Sequence, residues 1–218
     1  KKGNAVVAEP AQFVVEALAG EQPVGKNNGL QLRKASTLQL RMDLLMDYSQ
    51  NMQERPGAVA VREDTAKNIL LPALNADAQV GVTECHRDDR EAETVSDFTV
   101  DRAYTRARIE AIQSEFVRGF YSGARLLDAV VASCGKFEKG ESKSEARYIV
   151  LFSDGYDTSS AATLDDAVAR ARDRAVRIYA VGCGEDANLP LLLDLTSRTG
   201  GAYFPADTTD LLPAAVEE

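Results

Sequence analysis

Three short runs of the chain are apolar at consecutive positions: the second half of "LQLRMDLLMD", then "RYIVLFSD", then "VRIYAVGCG". A strand with one wet face alternates apolar and polar residues, so continuous apolarity over strand length means that both faces are covered. Segments with helical periodicity separate these runs. The clearest is "TLDDAVARARDRA", where Leu164, Ala167, Val168, Ala171 and Ala175 fall at i, i+3, i+4, i+7 and i+11, and Thr163, Asp165 and Asp166 mark the start. Further helices are expected in "VREDTAKNILLPAL", with Val61, Thr65, Ile69 and Leu70 near one face, and in "RAYTRARIEAIQSEFV", "ARLLDAVVASC" and "LPLLLDLTSRTG". "AQVGVTECH", "AETVSDFTV" and "GAYFPA" read as the remaining strands, and "KFEKGESKSEA" as a charged surface loop. This alternation predicts an α/β fold: a doubly wound, mainly parallel central sheet flanked by helices.

The first thirty-odd residues have a different texture. "QFVVEAL" and "GLQLRKAS" read as short strands around the turn-rich "AGEQPVGKNN". Residues 1–36 are therefore expected to form a hairpin-like β extension, and residues 37–218 the main domain. With 44% hydrophobic residues in 218, one sizeable core is affordable, and no run reads as a membrane span or a signal peptide. Lys and Arg total 25 against 34 Asp and Glu, a net charge of -9, which disfavours nucleic acid or an anionic membrane as partner.

Cys85, Cys134 and Cys183 lack metal-ligand spacing, and their odd number prevents complete intrachain pairing. His86 is the one histidine and a sequence neighbour of Cys85, so on a strand the two point to opposite faces. Structural, buried thiols are expected.

Two of the apolar strands end in acid, at Asp47 in "LLMDYSQN" and at Asp154 in "IVLFSDGYD". Ligands of open α/β sheets bind beyond the carboxyl ends of the strands, near the point where strand order reverses. Side by side, these strands bring the two carboxylates to one rim. Their mutual repulsion calls for a positive charge, most economically a divalent cation. Asp47, Ser49, Asn51 and Asp154 offer only oxygen or amide ligands, which suits Mg²⁺ or Ca²⁺ rather than zinc. The competing local reading is that Ser49 or Asn51 caps a helix and the acids are solvated. Gly182-Cys183-Gly184 is too short a motif for a phosphate cradle, and Glu185 and Asp186 beside it would repel phosphate.

From about Leu38 onward the chain resembles a von Willebrand factor type A domain. Asp47, Ser49 and Asn51 stand where the family's Asp-x-Ser-x-Ser adhesion motif lies, Asp154-Gly155 matches its later Asp-Gly, and "RIYAVGCGEDANLPLLLDLTSRTGGAYFPA" is similar to its closing pattern. The resemblance implies a Rossmann-like fold and a metal-ion-dependent adhesion site holding Mg²⁺, Mn²⁺ or Ca²⁺. It also implies a protein or surface-macromolecule partner and a secreted or cell-envelope setting, with a cytoplasmic one as alternative. Two departures make the site degenerate: Asn51 replaces the second serine, and Ala124 in "GARLLDA" stands at the family's threonine ligand, with Ser122 two residues earlier as a substitute. Tyr48, Tyr121 and Tyr156 flank the same rim by this alignment, and Tyr48, Ser122, Tyr156 and Asp157 are the expected partner contacts, although Asp157 also suits loop capping.

The expected function is thus a non-catalytic binding, adhesion or scaffold module. One competing class is a Mg²⁺-dependent phosphohydrolase with Asp47 as nucleophile. Against it, position 49 is Ser rather than an acid, and no Lys is close in sequence to either motif. Another is a structural assembly subunit that adds the "QFVVEAL" strand to a sheet edge.

Overall fold

The computed structural model describes residues 18–19, 22–23, 39–50, 52, 57–85, 91–115, 123–142, 144–184 and 186–205. The chain divides into two units, Lys1–Thr37 and Leu38–Glu218. In the first, β1 (Leu18–Ala19) pairs antiparallel with β2 (Gln22–Pro23). The observed pairing begins at the end of "QFVVEAL" and falls inside the stretch read above as a turn. Only Gly20 and Glu21 separate the partners, and a two-residue connection opening with glycine suits a tight hairpin. "GLQLRKAS" lies outside the described residues.

The second unit is built on a six-stranded sheet. Its elements, in chain order, are β3 (Gln39–Asp47), α1 (Ala58–Asp64), a π-helical stretch Thr65–Leu70, α2 (Leu71–Ala73), β4 (Gln79–Cys85), β5 (Glu93–Thr99), α3 (Arg102–Glu115), α4 (Leu126–Gly135), β6 (Glu145–Ser153), α5 (Leu164–Asp173), β7 (Val176–Gly182), α6 (Leu189–Thr199) and β8 (Tyr203–Pro205). Strand order is β5-β4-β3-β6-β7-β8, parallel throughout except for the antiparallel edge strand β5. The chain moves outward from β3 to β4 and β5, then returns to the other side of β3 for β6, so the order reverses between β3 and β6.

Alternation along the strands builds two cores. Met42, Leu44 and Met46 of β3 and Tyr148, Val150 and Phe152 of β6 face Ala66, Leu70, Ile109 and Ile112 on one side. Leu45, Ile149 and Leu151 face Leu126, Val130, Val168 and Leu192 on the other. Leu44, Leu45 and Met46 are wholly buried, and each such side chain contributes about 1.5–3 kcal/mol of transfer free energy. The start of α5 is a capping box: the Asp166 N–H donates to Thr163 Oγ1 at 3.2 Å and the Thr163 N–H to Asp166 Oδ2 at 2.9 Å.

Two helix expectations need correction. Thr65 and Leu70 are buried as read, but Val61 and Ile69 are half-buried while Arg62, Glu63 and Ala66 lie inside. The π-helical stretch, with its wider i→i+5 turn, shifts the buried face away from a 3.6-residue period. In the second case, α5 stops at Asp173, and Ala175 takes a left-handed φ of 50° in the turn into β7.

Candidate functional site

The β3–β6 pairing runs to Met46 opposite Phe152, so Asp47 and Asp154 emerge at the same end of neighbouring central strands, at the point of order reversal. Both are fully buried. Asp47 Oδ1 accepts the Ser49 N–H at 2.9 Å, and Oδ2 accepts the Ser153 hydroxyl at 2.6 Å. Burial pushes the Asp47 pKa up; the Ser153 and Ser49 contacts and the Arg62 charge oppose that rise without cancelling it. Asp154 Oδ1 accepts the Tyr156 N–H at 3.0 Å, and its carbonyl accepts the Asn188 N–H at 2.6 Å from the start of α6. Burial raises the pKa of the Cys183 thiol, and the charges of both Asp47 and Asp154 add to that rise. One electrostatic neighbourhood therefore contains both acids.

Gly155 is dictated by this turn. Its φ is +76°, and a Cβ there would meet Leu192 Cγ at 2.8 Å and the Asn188 carbonyl at 3.1 Å. The Cys183 N–H donates to the Ser153 carbonyl at 3.0 Å, so this amide of the Gly-x-Gly stretch serves the fold.

The other expected residues divide. Ser49 is buried, and its hydroxyl lies near the Asp47 carboxylate but outside hydrogen-bonding geometry to any described residue. Tyr156 is 37% exposed beside Asp154. Asp157 accepts the Ser160 hydroxyl at 2.5 Å and the Leu127 N–H at 3.3 Å, tying its loop to the first turn of α4. Asn51, Tyr121 and Ser122 lie outside the described residues. Ala124 is buried; its N–H donates to Thr158 Oγ1 at 2.8 Å, which brings a hydroxyl from the post-Asp154 loop beside the position that lacks one.

Tyr48 corrects the sequence reading. It is 2% exposed, so it cannot be a rim contact. The Arg62 guanidinium stacks 3.7 Å from its ring centroid, and its hydroxyl donates to Glu63 Oε1 at 2.8 Å. Arg62 is the residue that sequence reasoning missed. It is wholly buried, and Nη1 donates to the Asp47 carbonyl at 2.5 Å, so a protein cation sits directly behind the strand end. On sequence alone Val61, Thr65, Ile69 and Leu70 take the inner face of this helix and Arg62 has no role; only the grouping of Arg62, Glu63 and Lys67 within two turns signalled ion pairing.

The three cysteines are buried thiols outside any disulfide. Burial raises the Cys85 pKa and pushes that of Cys134 up to about 12, which makes both poor nucleophiles. Among the described residues no cluster of three or more His, Cys, Asp or Glu side chains exists, so soft or imidazole-rich metal centres have no ligand set there. The rim's donors are carboxylate and hydroxyl oxygens.

The sequence pattern of the von Willebrand factor type A domain matches residues 44–218. The chain belongs to the von Willebrand factor type A family. Solved VWA-type relatives share the fold at low identity. BatB from Bacteroides thetaiotaomicron has 16% identity and a TM-score of 0.61, over 82% of this chain and 95% of that one. Manganese-loaded TRAP protein from Plasmodium vivax has 13% identity and a TM-score of 0.61, over 81% and 72%. Proximal thread matrix protein 1 from the mussel byssus, with a zinc-occupied MIDAS motif, has 12% identity and a TM-score of 0.58, over 84% and 46%. No curated protein matches the chain by sequence. VWA domains are in general protein-interaction modules, and the arrangement of Asp47 and Asp154 falls within this domain. No helix among the described residues is long and apolar enough to cross a membrane.

Proposed function

We propose that this VWA domain is a non-catalytic adhesion or scaffold module that engages another protein, or another surface macromolecule, at the strand-end rim around Asp47, Ser49 and Asp154. The carrying observation is the buried Ser49 hydroxyl without a hydrogen-bond partner among the described residues, set beside a fully buried carboxylate at the order reversal. A buried polar atom left unmatched costs stability unless something else engages it. A small, hard divalent cation fits that donor set, because Mg²⁺ and Mn²⁺ take carboxylate and hydroxyl oxygens and keep several waters. Asp47, Ser49 and Asp154 would hold it, with Asn51 as a further oxygen donor. Bound there, the cation would supply a positive charge to a partner's carboxylate. The exposed Tyr156 would provide apolar contact beside it. The manganese named for the Plasmodium relative supports this choice.

The phosphohydrolase reading is the weaker one. Nucleophilic aspartate chemistry needs a second acid for proton transfer, and the position two after Asp47 is Ser49. Family membership supports a secreted or envelope setting for the adhesion role.

Calorimetric titration of the whole chain with Mg²⁺, Mn²⁺ and Ca²⁺ tests the proposal. Saturable heat with at least one cation, lost in Asp154→Ala, is the expected result. Flat traces with all three would remove the metal-linked mechanism and leave binding to loop shape and Tyr156 alone.

A further inference from the structure

At the opposite end of the sheet a second feature has no part in the rim. A cavity of about 280 Å³ lies where the π-helical stretch and α2 meet the start of α3, lined by Lys67, Leu71, Leu74, Val100, Arg102 and Arg106 among others. Its walls precede β4 and follow the antiparallel β5, which places it at the amino ends of the parallel strands, away from Asp47. Arg102 and Arg106 are four residues apart and share one face of α3.

Both guanidiniums are held by neutral groups. Arg102 Nη2 donates to the carbonyls of Asn75 at 3.0 Å and Ala78 at 2.7 Å. Arg106 donates to Asn68 Oδ1 at 3.2 Å and to the Lys67 carbonyl within the π-helical stretch. Among the described residues no carboxylate lies within ion-pairing distance of either; burial lowers the Arg102 pKa, and the charge of Asp77 opposes that only in part. Lys67, by contrast, is already paired with Glu63 at 3.2 Å and Glu110 at 3.8 Å. The Arg102 Nε–H is buried and has no acceptor among the described residues. The same holds for Arg41, Arg62 and Arg174, but none of these lines the cavity. Neither guanidinium makes a direct ion pair among the described residues, in a chain of net charge -9. Pro72 and Ala76, both exposed, and the 51% exposed Val100 give the cavity an apolar side, while Leu71 and Leu74 in its wall are themselves buried.

We infer that this cavity is a second docking site, one that takes an acidic–aliphatic segment of a partner protein: a glutamate or aspartate carboxylate against Arg102 and Arg106, and a neighbouring aliphatic side chain against Pro72, Ala76 and Val100. Charge complementarity selects the carboxylate, because it supplies the direct ion pair that neither guanidinium makes among the described residues and matches their planar donor pairs. The apolar side selects a peptide over a bare anion, since a small anion would leave that surface wet.

The test is fluorescence anisotropy of a labelled, end-capped hexapeptide of alternating leucine and glutamate, titrated with the full chain. Saturable binding is expected, weakened by about tenfold or more in Arg106→Gln and in Val100→Asp, and indifferent to EDTA or added Mg²⁺. Val100→Asp places a repelling carboxylate at an exposed position, so it reads recognition without disturbing the Arg106 contacts. The inference is overturned by any of three results: no saturation up to about 1 mM peptide, equal binding of the lysine-for-glutamate peptide, or indifference to both substitutions. Displacement of the peptide by an equal concentration of acetate would overturn it too, by revealing a site for small anions only.

Discussion

Asp43 and Asp47 stand four residues apart on β3, on the same face of the strand, and both are wholly buried. Their surroundings differ in one respect. Asp43 is closed by protein: Lys136 Nζ lies 2.6 Å from Oδ1, while the Thr83 and Ser133 hydroxyls each donate to Oδ2 at 2.6 Å. Lys136 also donates to the Ser96 carbonyl at 3.0 Å, and a Cβ at position 81 would strike its ammonium at 2.7 Å, so the lysine's path requires Gly81. Asp47 receives one amide and one hydroxyl, and the nearest described cation, Arg62, contacts its backbone carbonyl. A buried carboxylate with a built-in ammonium is a clamp between strand and helix. A buried carboxylate without one, at the order reversal, is where the proposed cation would bind. On that proposal, position along one strand separates architecture from function.

The largest effect that could break this contrast is loss of the clamp. Asp43→Ala leaves the Lys136 ammonium buried and unpaired and should cost about 3–5 kcal/mol, read as a lower urea midpoint. Asp47→Ala should cost markedly less at neutral pH without divalent cations. Equal losses would show that the two acids do the same structural work. Next in size is Gly155→Ala, which should cost about 1–3 kcal/mol for its left-handed backbone and abolish cation heats by displacing Asp154. A variant of wild-type stability and undiminished heats would contradict the turn geometry described here.

The smallest effect sharpens the comparison through pH. Folding raises the Asp47 pKa above its ordinary 3.8, so the native state binds this proton more tightly than the unfolded chain does. Its contribution to stability is fully present below pH 3.8 and is lost as pH rises through the raised native value. Stability of the wild type relative to Asp47→Asn should therefore fall as pH rises above about 4 in metal-free buffer, measured by denaturant titration across pH. An unchanged difference would mean that Asp47 keeps its ordinary acidity inside the fold.

Much of the fold was legible because its cause is local: runs such as "RYIVLFSD" are apolar at every position, and only a strand covered on both faces needs that. The meeting of Asp47 and Asp154 was legible because two central strands carried acid at the same end. Tyr48 and Arg62 were not, since each is polar by type and the stacking that joins them is a tertiary contact with no sequence period. The π-helical stretch was equally hidden, because a 3.6-residue template assigns Val61 and Ile69 to the core and the wider turn does not. Asp43 was absorbed into an apolar run, and its partner Lys136 lies 93 residues away.

The central claim, that an external cation is taken by the rim and refused by the clamp, is tested most directly by paramagnetic broadening of backbone amide resonances with substoichiometric Mn²⁺. The amides of Tyr48, Ser49, Gly155 and Tyr156 should broaden first, with those flanking Asp43 spared. Broadening that begins at exposed acids such as Glu138 and Glu141, or that reaches the Asp43 amides first, would contradict it.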